Sequence, residues 1–183
     1  ISAVQRRSDS CVQMMVDVKA NVNIASNDGT TALITAATNG NPACMTILLN
    51  ANADIDATNN NGDTALISAT SRGNIACAQM LISAKADVNV RNQNKETALM
   101  SAASKGDTAG AQMLLDASAD VNTTSKYGET ALILAARGGH IACAQLLVDA
   151  KANIDMRRKD GHGAISLAKR RGFLEIVDLL LKA

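Results

Sequence analysis

Aromatic side chains are almost missing from this chain: its 183 residues include one Phe, one Tyr and no Trp. Any core must then be assembled from Ala, Leu, Ile, Val and Met, within a hydrophobic content of 47%. That supply suits closely packed helices better than a β-sandwich. A dominant charge is lacking too, because a formal net charge of +1 gives no global field to attract nucleic acid or an anionic membrane. No apolar run approaches the roughly 20 residues that span a bilayer. The N-terminus shows no signal-peptide pattern, so membrane insertion is not expected. The chain opens on Ile1 rather than Met, as expected of a piece of a longer one. No nucleophile–base pairing, phosphate loop or metal-ligand spacing stands out. The expectation is a protein that is not an enzyme and needs no cofactor or metal.

What the chain does have is self-similarity. TALITAATNGNPACMTILLNANADID begins at Thr31, and TALISATSRGNIACAQMLISAKADVN at Thr64. TALMSAASKGDTAGAQMLLDASADVN follows at Thr97, and TALILAARGGHIACAQLLVDAKANID at Thr130. Each start lies 33 residues after the last. One more step reaches Gly163 and a final copy ending after its second helix, and one step back from Ile34 reaches Ile1. The register divides the chain into repeats 1–25, 26–58, 59–91, 92–124, 125–157 and 158–183 of a single repeat domain, the first and last incomplete. A fixed period of this size is the signature of a repeat architecture.

Within one copy, Thr130 caps a first helix built on Ala131, Leu132, Ile133, Ala135 and Ala136. Gly139 ends that helix with a left-handed residue. Ile141, Cys143, Ala144, Leu146 and Leu147 form the apolar stripe of a second helix. ANIDMRRKDGH then turns outward, with Asp160–Gly161 marking a hairpin-like tip. Such a unit cannot bury its apolar face alone, so neighbours must stack. The predicted class is all-α, an α-solenoid of stacked helix-turn-helix repeats with hairpin-like fingers.

These features resemble the ankyrin repeat over the full length. The family's T-P-L-H signature appears as TALI or TALM, with its central Gly at 40, 73, 106 and 139. Its A-D-V-N ending appears as ADID, ADVN, ADVN and ANID. The chain departs from the family pattern where Ala replaces the first-turn Pro. It also departs where Lys19, Asn52, Lys85, Ser118 and Lys151 replace the Gly that closes the second helix. A non-Gly residue held left-handed costs roughly 1 kcal/mol, which predicts a looser array than a consensus one, weakest at the truncated first repeat.

Four cysteines and two histidines raise the question of zinc. Cys11, Cys44, Cys77 and Cys143 occupy one position of the second helix, where Gly110 and Ile176 stand in other copies. Stacked helices lie about 8–10 Å apart, too far for a disulfide or a shared tetrahedral metal. They read as small core residues, and free thiols point to a reducing, cytoplasmic setting. His140 reads as structural and His162 as an exposed finger residue. Met80 and Met113 read as core. Asp54, Asp87 and Asp120 bond the local backbone.

The resemblance implies binding through fingertips and the inner face of the first helices. On that surface the cations are Arg72, Arg91, Lys105, Lys126, Arg137, Arg157, Arg158, Lys159, Lys169, Arg170 and Arg171, concentrated toward the C-terminus. Tyr127 stands at a fingertip among them. Interface anchors are enriched in Tyr and Arg. The expected role is a non-catalytic, monomeric scaffold or adaptor holding a protein or peptide, an acidic one where the cations engage it, in a basic concave groove. The alternative is the recognition arm of a larger enzyme, effector or channel. Nucleic acid is a poor fit, because Tyr127 is the only aromatic there for base stacking and Asp63, Glu96 and Glu129 interrupt the fingers. Ankyrin domains elsewhere are hydroxylated on the Asn of A-D-V-N with Leu eight residues earlier. Asn89 after Leu81 and Asn122 after Leu114 resemble such acceptors, although the fold alone gives that spacing and the plainer reading is a turn cap.

Overall fold

The computed structural model describes residues 9–183, so repeat one is described only from Asp9 onward. Every element among them is an α-helix, and the helices alternate in length, eight residues then nine. They are α1 (Asp9–Asp17), α2 (Ala32–Asn39), α3 (Pro42–Asn50), α4 (Ala65–Arg72), α5 (Ile75–Ser83), α6 (Ala98–Lys105), α7 (Thr108–Asp116), α8 (Ala131–Gly138), α9 (Ile141–Asp149), α10 (Ala164–Arg171) and α11 (Leu174–Lys182). None is long and apolar enough to cross a membrane.

The predicted caps are in place. Thr31, Thr64, Thr97 and Thr130 each accept the backbone N–H three residues on, at 3.2–3.3 Å. Gly40, Gly73, Gly106, Gly139 and Gly172 sit in the left-handed region and return their N–H to the last turn of the first helix. Two compact units result, residues 1–93 and 94–183. In the first, α2 packs on α4, α1 on α3 and α3 on α5. In the second, α6 packs on α8 and α8 on α10, while α7 packs on α9 and α9 on α11. First helices thus stack on first helices and second on second, which buries nearly all of the first-helix TALI and TALM residues. The second-helix stripe is narrower than predicted. Cys143, Ala144 and Leu147 are buried, but Ile141 is 40% exposed. Met80 and Met113 are only half-buried, whereas Met45 and Met100 are the methionines in the core.

The fingers are not two-residue hairpins. Gly161 donates to the Arg158 carbonyl and Arg158 donates to that of His162, both at 2.9 Å. That is a three-residue loop closed by a left-handed Gly161 at φ 82. The same pair of bonds recurs around Gly29, Gly62 and Gly128, and Lys95 stands in the equivalent place at φ 59. The Arg157–Gly163 bridge is an isolated antiparallel contact beneath the last loop.

Candidate functional site

In the second unit the fingertips are tied together by backbone. Lys126 N–H donates to Asn94 O at 2.7 Å, and Lys159 N–H to Tyr127 O at 3.0 Å. Ser125 is buried, and its hydroxyl accepts from the amides of Tyr127 and Glu129, both at 3.2 Å. Tyr127 is therefore held by bonds on both sides of its backbone while its side chain projects, 54% exposed. Lys126 and Lys159 are exposed beside it in sequence or across the fingertip bond.

The predicted cations do not behave alike. Arg137, at the end of α8, and Arg158, in the last finger, both reach the buried carboxylate of Glu129. Arg158 also meets Asp160 at 3.4 Å. Glu129 therefore lies beneath the cations as their counterion rather than interrupting the fingers. Two of the predicted contact residues are half-buried struts, with side chains 34% and 24% exposed. An arginine–carboxylate pair this shielded stands to lose much if one partner is removed. Sequence patterning missed Glu129 because its partners lie 8 and 29 positions away. The signal was periodic all the same, since Asn92 bonds Asp63 at the same 29-residue separation.

The remaining cations are outward. Arg157 donates to Gly161 O at 3.3 Å and Arg170 to His162 at 3.1 Å, each still exposed. Lys169 and Arg171 are exposed in the same last turn of α10, and Lys105 is exposed at the end of α6. The Asp160 carboxyl is held below its ordinary value, first by the His162 N–H it accepts and then by Arg158 and His162 themselves.

Arg72 and Arg91 belong to the first unit and are exposed. Arg72 lies on the rim of a 340 Å³ recess between α2 and α4. That recess is hydroxyl-lined rather than basic. Thr35, Thr38 and Ser71 turn their protons back to carbonyls of their own helices, presenting oxygen acceptors beside Asp63.

Cys44, Cys77 and Cys143 are free and buried, as is Gly110 in the same slot and Ile176 after it. The side chain of Cys11 lies outside the described residues. Burial, followed by Asp9, pushes the Cys44 thiol up to about 12, and burial, followed by Asp107, pushes Cys143 up to about 11. Such thiols are poor nucleophiles and poor metal ligands. Among the described residues no three His, Cys, Asp or Glu side chains gather as a metal site.

The Asn of the repeat ending does more than cap a turn. Asp120 performs the capping, accepting from Asn122 N–H at 2.9 Å. Asn122 Oδ1 accepts the N–H of Asn153 in the next repeat at 2.8 Å. Asn23 and Asp56 make the same rung to Asp54 and Asp87. Asn89 and Asn122 are both exposed. His140 is structural as predicted. Its Nε2–H donates to Ser104 O at 3.1 Å at the end of α6, a role that Asn74 plays toward Ala37 and Thr38 in the first unit.

Comparison with known proteins agrees with this architecture. The family model for ankyrin repeats matches three times, over residues 1–92, 51–125 and 99–183. Each match is longer than two 33-residue periods, so its count of three differs from the six copies of the sequence period. No curated protein matches the chain. Ankyrin repeats are in general protein–protein interaction modules and typically non-catalytic. With matched segments running from the first residue to the last, the chain belongs to the ankyrin repeat family.

Proposed function

We propose that the chain is a non-catalytic adaptor whose second unit holds a carboxylate-bearing protein segment across its last two fingertips and the end of α10. The observation that carries this reading is the fingertip pair of Tyr127 and Lys159. An exposed aromatic is fixed by backbone bonds from both sides and flanked by exposed lysines. An aromatic on a fixed backbone suits an interface anchor, and cations with no ion pair among the described residues gain from a partner's carboxylates.

The struts decide how the reading is tested. Arg137→Glu would set a second carboxylate against buried Glu129 and disturb the fold. The informative variant is Lys126→Glu, Tyr127→Ala, Lys159→Glu. A random peptide library is selected on the immobilised protein, with folding of the variant verified by circular dichroism. Enrichment of acidic peptides that the variant no longer retains is expected. Enrichment of peptides without acidic residues, or equal retention by the variant, contradicts the reading.

A further inference from the structure

His162 and Arg170 repeat, one period later, the geometry of Glu129 and Arg137. In both cases the residue just before the first helix meets the residue eight positions on, near that helix's end. The chemistry differs. Glu129 is a counterion, whereas His162 Nε2 lies 3.1 Å from Arg170 Nη1. A guanidinium has no acceptor and stays protonated in proteins. The imidazole must therefore accept through a bare Nε2, and the neutral ring carries its proton on Nδ1.

The surroundings of the ring are mostly cationic. In the same finger, Asp160 accepts the His162 N–H at 3.1 Å, and its carboxylate already meets Arg158. Arg158 donates its N–H to His162 O, and Arg157 bonds the loop at Gly161. From α10 come Arg170 and its neighbours Lys169 and Arg171. In the preceding repeat Glu129 is occupied by Arg137 and Arg158. Apart from Asp160 and Glu129, the charged groups around the ring are cations.

We propose that His162 and Arg170 form a proton-operated latch on the basic face. Protonation removes the acceptor, sets imidazolium against guanidinium and frees Arg170. The face then presents one released cation and one new one, so a carboxylate-rich segment binds more tightly once the ring is protonated. The Glu129–Arg137 pair has no such latch, because Glu129 is itself the counterion of the arginine. The inference rests on the acidic-segment reading for its consequence, but the latch itself does not.

Two measurements separate them. Long-range ¹H–¹⁵N correlations at pH 8 report each histidine's tautomer without any ligand. His162 is expected as Nδ1–H and His140, which donates to Ser104, as Nε2–H. An Nε2–H tautomer at His162 overturns the latch. Binding of fluorescein-labelled hexa-aspartate is then compared at pH 7.5 and 5.5 at fixed ionic strength. One added charge and one released cation should tighten it by roughly two- to fivefold. His162→Gln keeps an acceptor that does not titrate and should bind equally at both pH values. Equal tightening in wild type and His162→Gln overturns the proposal. No binding by the wild type at either pH overturns the acidic-segment reading and with it the latch's regulatory role, while the tautomer still decides whether the latch exists.

Discussion

Replacing Lys85 or Lys151 by glycine should stabilise the protein. Both residues close a second helix in the left-handed region, at φ 70 and φ 65, and both are exposed, so little packing is lost with the side chain. Left-handed backbone costs an L-residue roughly 1–2 kcal/mol, because Cβ crowds the following carbonyl. Glycine removes that strain but gives back about 0.4–1 kcal/mol through a freer unfolded chain. The net gain is about 0.5–1 kcal/mol per site. For a chain of this length that raises Tm by about 1–4 °C. The sites lie in different units and should add. Urea unfolding followed by circular dichroism reads the effect, with Lys85→Ala and Lys151→Ala as controls that keep Cβ and therefore the strain. If the alanine variants gain as much as the glycine variants, removal of charge is responsible and the backbone argument fails. A lower midpoint in the glycine variants refutes it outright.

Other outcomes follow from the same contacts. Thr130→Ala removes the cap on Ile133 N–H and should cost about 0.5–2 kcal/mol in urea unfolding. Gly139→Ala should cost more, since φ is +78 and a Cβ would lie 2.7 Å from the Phe173 ring. Cys77→Ala shrinks a buried slot of the first unit and should lower the urea midpoint while leaving peptide binding by the second unit unchanged. The Cys44 thiol, pushed from 9.0 to about 12, is neutral in the fold while the unfolded thiol ionises. Stability should therefore fall as pH rises above about 9 toward 12, a loss that Cys44→Ala should reduce. Hydrogen exchange should be faster in α1, where Met14 and Met15 are 58% exposed, than in α2, where six of eight residues are buried.

The period made the fold readable. A threonine, a glycine and an alternation of helix lengths return every 33 residues, and each acts within its own turn, so sequence spacing is enough to place it. Cys44 could be assigned to the core for the same reason, because a slot that also accepts Gly110 and Ile176 selects for packing. The site was less legible because its bonds run between repeats. Lys126 looked like any finger cation, and Arg137 and Arg158 looked like two more. Their difference lies in Glu129, which meets one across 8 residues and the other across 29. The role of Asn122 depends on an amide 31 positions later. Local pattern also set the finger one residue short, since Asp160–Gly161 reads as a two-residue turn while Gly161 in fact closes a longer loop.

The most direct test of the central claim is an amide chemical-shift map of the ¹⁵N-labelled protein with the most enriched selected peptide. The account predicts perturbations at Lys126, Tyr127, Lys159, Arg170 and Arg171, with little change around the Arg72 recess. Perturbations confined to that recess, or to the exposed side of the second helices, would place the working surface elsewhere and contradict it.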